Sequence, residues 1–249
     1  MTGPRGQLRA YLAFQAKDFL LLRASLPTAV VVMFAWMMIA TVQLPADGWE
    51  SPQGRMIARQ VFDMLSTMFV LAGAFLGVAR IVSDDRSNGY YRFLFSKPVS
   101  MCAFYMQQWI VNGVGLVVLI GLLASLFGAL TVPVPVGAAM QVMAVTWVLV
   151  GGVGFALSVG TNYDVPVLVV SYVGSSVLHS LKDSPGSAMA PWMRQIVRVT
   201  MPVQHVDHVR AALFAGNPLP LAHAGIAVAY GALFVVAAVV LMRRVSFAR

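Results

Sequence analysis

Long apolar runs separated by short charged or proline-rich breaks make up most of this chain. A helix rises about 1.5 Å per residue, so crossing a hydrocarbon core of roughly 30 Å takes about 20 mostly apolar residues. Six runs meet or approach that length: residues 25–44, 61–82, 109–130, 137–159, 165–181 and 221–242. Pro45, Asp47 and Gly48 close the first run, Pro133 and Pro135 tighten the connection between the third and fourth, and Arg243 and Arg244 end the sixth. The fifth is short and carries Ser171, Ser175, Ser176 and His179. The pattern therefore predicts an all-α polytopic membrane protein with six transmembrane helices, built as a single membrane domain over residues 1–249.

Outside the spans, three segments have a periodicity of their own. Residues 5–23 repeat Leu8, Tyr11, Leu12, Phe19 and Leu22 with Arg9 and Lys17 among them, which predicts a helix lying in the membrane interface. The first run is too long for a signal-peptide core and has 24 residues before it, so it reads as an uncleaved anchor. The long connection 182–220 holds a helical stripe of Trp192, Ile196, Val199, Val203, Val206, Val209 and Leu213, divided by Pro202. It predicts two short re-entrant or interfacial helices. The third segment, 83–100, reads SDDRSNGYYRFLFSKPVS. Ser83 suits an N-cap, Asp84 and Asp85 suit the first turn, and Pro98 is a stop, which predicts a helix over 84–95. Tyr90, Tyr91, Phe93, Leu94 and Phe95 give it more apolar surface than solvent should see. Two readings account for that surface: an amphipathic helix on the headgroups, or a plug for a groove on a partner.

Composition agrees with the solvent assigned. Hydrophobic residues are 59% of the chain and charged residues 10%, with mean hydropathy +0.79, which excludes an average soluble domain. The net charge of +8 does not indicate nucleic acid, because the basic residues flank spans instead of forming a stripe. Their distribution orients the chain. Arg5, Arg9, Lys17, Arg23, Arg80, Arg86, Arg92, Lys97, Arg243, Arg244 and Arg249 fall on one side, against Arg55, Arg59, Lys182, Arg194, Arg198 and Arg210 on the other. The positive-inside rule then puts both termini and residues 83–100 in the cytoplasm. Cys102 is the sole cysteine, so the chain forms no internal disulfide.

The segment after the second span resembles the coupling-helix signature of ABC-2-type transporter permeases. An acid at Asp84 or Asp85, then Arg86, Gly89, the patch Phe93, Leu94 and Phe95, then Ser96, Pro98, Val99 and Ser100, and Tyr105 beyond, carry the likeness. The six-span layout and the length agree with it. Asp85 where the family often has Glu, and Met101 where it often has a basic residue, are departures.

The resemblance implies the permease subunit of an ABC exporter in the plasma (inner) membrane of a bacterium, paired with a second permease, itself or a related chain. It implies that Asp84, Asp85, Arg86, Gly89, Tyr90, Phe93, Leu94, Phe95 and Pro98 dock on a separate ATP-binding cassette ATPase. That partner would bind ATP and magnesium, since no G-x-x-x-x-G-K-[ST] occurs here, and this chain would hold no cofactor. No catalytic residue is expected. Rival readings are an intramembrane enzyme, which the lack of G-x-S-x-G and H-E-x-x-H disfavours, and a non-transporting assembly or anchoring protein.

Other candidate positions carry less. Arg55, Arg59 and Asp63 recur every fourth residue at the outer end of the second span and form a candidate outer vestibule. Gly73 and Gly77 make a G-x-x-x-G pair for close helix packing, and Gly151, Gly152 and Gly154 smooth the fourth span. Asp164 beside Pro166 reads as a helix cap. His205 and His208 have ligand spacing but no clear third partner, so no metal is expected.

Overall fold

The structure is a computed structural model that describes residues 4–41, 48–88, 100–183, 190, 192 and 200–244. Among them there is no strand. Ten α-helices run in order: α1 (Pro4–Asp18), α2 (Ser25–Thr41), α3 (Pro52–Val78), α4 (Ser83–Ser87), α5 (Met101–Leu130), α6 (Val136–Thr146), α7 (Gly152–Gly160), α8 (Asp164–Asp183), α9 (Val203–Phe214) and α10 (Leu221–Arg244). Wider π-helical turns join α1 towards α2 (Phe19–Arg23) and α6 to α7 (Trp147–Gly151).

Six helical stretches are long and apolar enough to cross a membrane: Tyr11–Met38, Pro52–Asp85, Met101–Leu130, Val136–Gly160, Asp164–Leu181 and Leu221–Arg244. Each contains most or all of an expected span, and the boundaries extend outward. The third starts at Met101, eight residues before the apolar run, because Ser100 caps it by accepting from the Ala103 amide and the first turns pack inward through Phe104 and Tyr105. The second starts at Pro52 behind an N-cap at Ser51. The first differs most from expectation. Residues 5–23 form α1 and the π turn after it, which lead into α2 with only a bend at Ala24. Tyr11 packs edge-on against Phe104, and Gln15 Nε2 donates to Phe104 O, so this stretch is held against the start of α5.

The fourth span is the hub, with 83% of its window buried against 22–56% for the other five. Small residues make that position reachable. A Cβ on Gly152 would clash with Gly231 O, and one on Gly231 would clash with Val148 O, so α10 and the fourth span touch backbone to backbone. Trp147 occupies a slot between three glycines: Gly77 on α3, Gly113 on α5 and Gly151 below its own ring. Gly73 and Gly77 both lie against Leu116 of α5. On the outside of α5, Val114, Val118, Leu122, Leu126 and Leu130 form an exposed stripe at every fourth residue, the face a helix presents to lipid.

Candidate functional site

The second span ends in a turn that is bonded to four other parts of the molecule. Helix α3 stops at Val78, and its last carbonyls need partners. Arg23 supplies them from the first helix, its Nη1 donating to Ala79 O at 2.7 Å and to Gly77 O at 3.2 Å. Asn112 Nδ2 on α5 donates to Gly77 O as well, at 2.8 Å. A guanidinium at a helix C-terminus also meets the negative end of the helix dipole. Asp18 balances it, 3.6 Å from Arg23 Nε.

Arg80 then takes φ 56°, the left-handed conformation that usually falls to glycine after a helix. Its backbone N–H donates to Asp164 Oδ2 at 2.9 Å, and Ser83 Oγ donates to the same oxygen at 3.0 Å. Next to it, Ser158 Oγ accepts from the amides of Val82 (2.9 Å) and Ser83 (3.2 Å). Asp164, Ser83 and Ser158 are all buried. The Asp164 carboxylate thus holds the turn from the second span, beyond the local capping role expected of it. A buried carboxylate is tolerated here because it accepts two hydrogen bonds.

Beyond the turn, α4 carries Asp84, Asp85 and Arg86. Asp84 lies 3.8 Å from Arg80 Nη1 at the surface, and Asp85 Oδ2 accepts from Tyr105 Oη at 3.0 Å. The acid and the tyrosine at the two ends of the family-like motif are therefore in contact. Ser100, its last serine, is the N-cap of α5. Gly89, Tyr90, Phe93, Leu94, Phe95 and Pro98 lie outside the described residues.

At the opposite end of the bundle, α9 packs its buried stripe of Val203, Val206, Val209 and Leu213 against the protein. Along the edge of the same face Arg210 donates to Thr67 Oγ1 and lies 3.8 Å from Asp63 and 3.9 Å from Asp207. Asp63 is thereby drawn away from Arg55 and Arg59, which face a separate hollow with Pro52, Met56 and Gln60. Arg55 Nε donates to Glu50 O. The three residues of the candidate vestibule do not form one site. A cavity of about 100 Å³ between α3, α6, α8 and α9 is lined by Thr67, Thr146, Tyr172, Asp207 and Arg210. Burial pushes the Asp207 carboxyl above its ordinary value, while Arg210 and His208 pull it back.

His223 at the start of α10 joins the two histidines of α9. Its Nδ1 is 2.7 Å from His205 Nδ1, and its ring lies 4.6 Å from that of His208. Among the described residues no group of three or more His, Cys, Asp or Glu side chains has an arrangement that could hold a metal ion. His223 and Arg210 carry little local sequence signal, since His205, Thr67 and Asp63 are distant from them in the chain.

Comparison of the chain with protein-family models, with curated proteins and with solved structures found no match. The described residues define an integral membrane protein of helices, six of them long and apolar enough to span the bilayer.

Proposed function

We propose that this chain is the membrane-spanning permease subunit of an ABC exporter of the ABC-2 type, and that residues 83–100 couple it to a separate ATPase. In this reading the Arg80 end of the bundle and both termini are cytoplasmic, and ATP and magnesium sit on the partner. A second permease, the same chain or a related one, completes the translocation path. The whole assembly lies in a bacterial inner membrane.

The observation that carries the reading is the bonding of the turn at 79–83. A coupling element must pass a push to the spans without bending first. This turn is tied by Arg23 to the first helix, by Ser158 to the fourth span and by Asp164 to the fifth, and Asp85 is tied by Tyr105 to the third. Force applied to α4 therefore reaches five spans through hydrogen bonds that are buried or part-buried. Such a rigid mount has no use on a helix that only floats on headgroups.

The test is Phe93→Asp and Phe95→Asp. Each would place an unpaired charge in the apolar contact with the ATPase, at a cost on the order of a few kcal/mol. The variants should insert normally but lose the co-purifying ATPase and coupled transport. Normal insertion together with full ATPase retention and transport would reject the coupling assignment.

A further inference from the structure

A hollow of about 500 Å³ opens between the first helix, the end of α3 and the start of α5. We propose that it is a binding site for an amine-bearing phospholipid headgroup, of the phosphatidylethanolamine type. The site shares Asp84 and Asp85 with the coupling segment but does not depend on the exporter reading.

Three features define the occupant. The first is an unmet acceptor. Gln15 lines the hollow at 1% exposure, and its Nε2 is committed to Phe104 O, but its Oε1 has no partner among the described residues. A buried amide oxygen asks for an N–H or O–H donor. The second is the charge of the wall. Asp18, Asp84 and Asp85 supply three carboxylates, while Arg23 spends its donors on Gly77 O, Ala79 O and Asp18. Arg80, 67% exposed at the rim and 3.8 Å from Asp84, is the other guanidinium that lines the hollow and faces outward, where a phosphate would meet it. The ligand therefore brings a positive group with several donors to the acids, and an anion to the rim.

The third feature is the apolar flank. Leu22 and Leu26 line the same hollow and are 71% and 56% exposed, so the site opens along the lipid-facing side of the first helix. A soluble amine would have no use for that flank, whereas the acyl chains of a phospholipid would lie along it. An ethanolamine headgroup offers three N–H donors beside a phosphate. A choline headgroup has the same charge and the same phosphate but no N–H donor, so a site built on hydrogen-bond acceptors separates the two.

The delipidated full-length protein in detergent is titrated with phosphatidylethanolamine and with phosphatidylcholine of identical acyl chains, and bound lipid is counted by native mass spectrometry. Preference for the ethanolamine lipid is expected at about tenfold, the scale of one charge-assisted hydrogen bond. Gln15→Met should remove that preference. Asp84→Asn, at a half-exposed carboxylate, should weaken it severalfold. Equal binding of the two lipids overturns the proposal, as does an unchanged preference in both variants. Displacement of the lipid by free ethanolamine at equal concentration overturns the lipid assignment.

Discussion

Tyr105 donates its phenol hydrogen to Asp85 over 3.0 Å and so joins residues that stand 20 positions apart, on either side of the aromatic segment. Tyr105 is 1% exposed, which makes the hydroxyl position non-negotiable once the ring has packed against Phe104. The bond fixes where α4 sits relative to the third span. Tyr105→Phe keeps the ring and strips the hydrogen bond. The expected loss is ~1–3 kcal/mol, the scale for a hydrogen bond to a charged group, read as an earlier midpoint in thermal unfolding of the detergent-solubilised protein. An unchanged midpoint would mean that the carboxylate is already served by solvent.

Asp164 and Ser158 do the same work from the other side, each accepting two hydrogens from the turn. Ser158→Ala strands two buried amides and Asp164→Ala strands one amide and one hydroxyl. Each is expected to cost about 1–3 kcal/mol for every donor left without a partner, so both rank above Tyr105→Phe. In the exporter reading the same variants should lose transport faster than they lose ATPase binding, because the contact remains while its mount loosens. A variant that transports fully while its unfolding midpoint has fallen would separate stability from coupling and count against the mount.

Gly231→Ala drives a methyl carbon into the Val148 carbonyl oxygen, a clash no side-chain adjustment relieves. Overpacking of this kind costs roughly 1–3 kcal/mol or more. Since both neighbours are backbone, the upper part of that range is expected, with low yield of folded protein by size-exclusion chromatography. Gly225→Ala, on the same helix with nothing within 4 Å, is the control and should behave as the parent.

The orientation is tested by labelling. In a Cys102→Ser background, single cysteines at Ala190 and Asn88 should divide, with an impermeant thiol reagent on intact cells reaching 190 and not 88. Labelling of position 88 from outside would invert the topology and remove the coupling reading with it.

The spans were legible because bilayer thickness translates into a length of apolar sequence, a constraint that Val61 or Ala138 reports without knowing its neighbours. Their starts were less so. Gln107 and Gln108 broke the apolar run, yet both lie inside α5, and Gln108 is buried. The pair Gly73 and Gly77 was visible, but Leu116 and Trp147, which fill the space it leaves, were not. Asp164 looked like a local cap because sequence shows only the residues next to it, and its partners Arg80 and Ser83 lie more than 80 positions away. Arg210 was missed for the same reason, standing 143 positions from Thr67.

The π turn at Trp147–Gly151 sets the azimuth of everything after it. An α-helix turns about 100° per residue, and a π turn takes up an extra residue without lengthening the hydrogen-bonded column in proportion. Upstream, α6 faces α5 and α9, and downstream α7 faces α10 and α8. If residues 147–151 wound as regular α-helix with no residue removed, the lower half would rotate by about 100°, the turn of one residue. Ser158 would then swing off the amides of Val82 and Ser83, although no atom of the clamp itself had been altered. The alignment of one end of this molecule is thus stored as a phase offset halfway along its most buried helix.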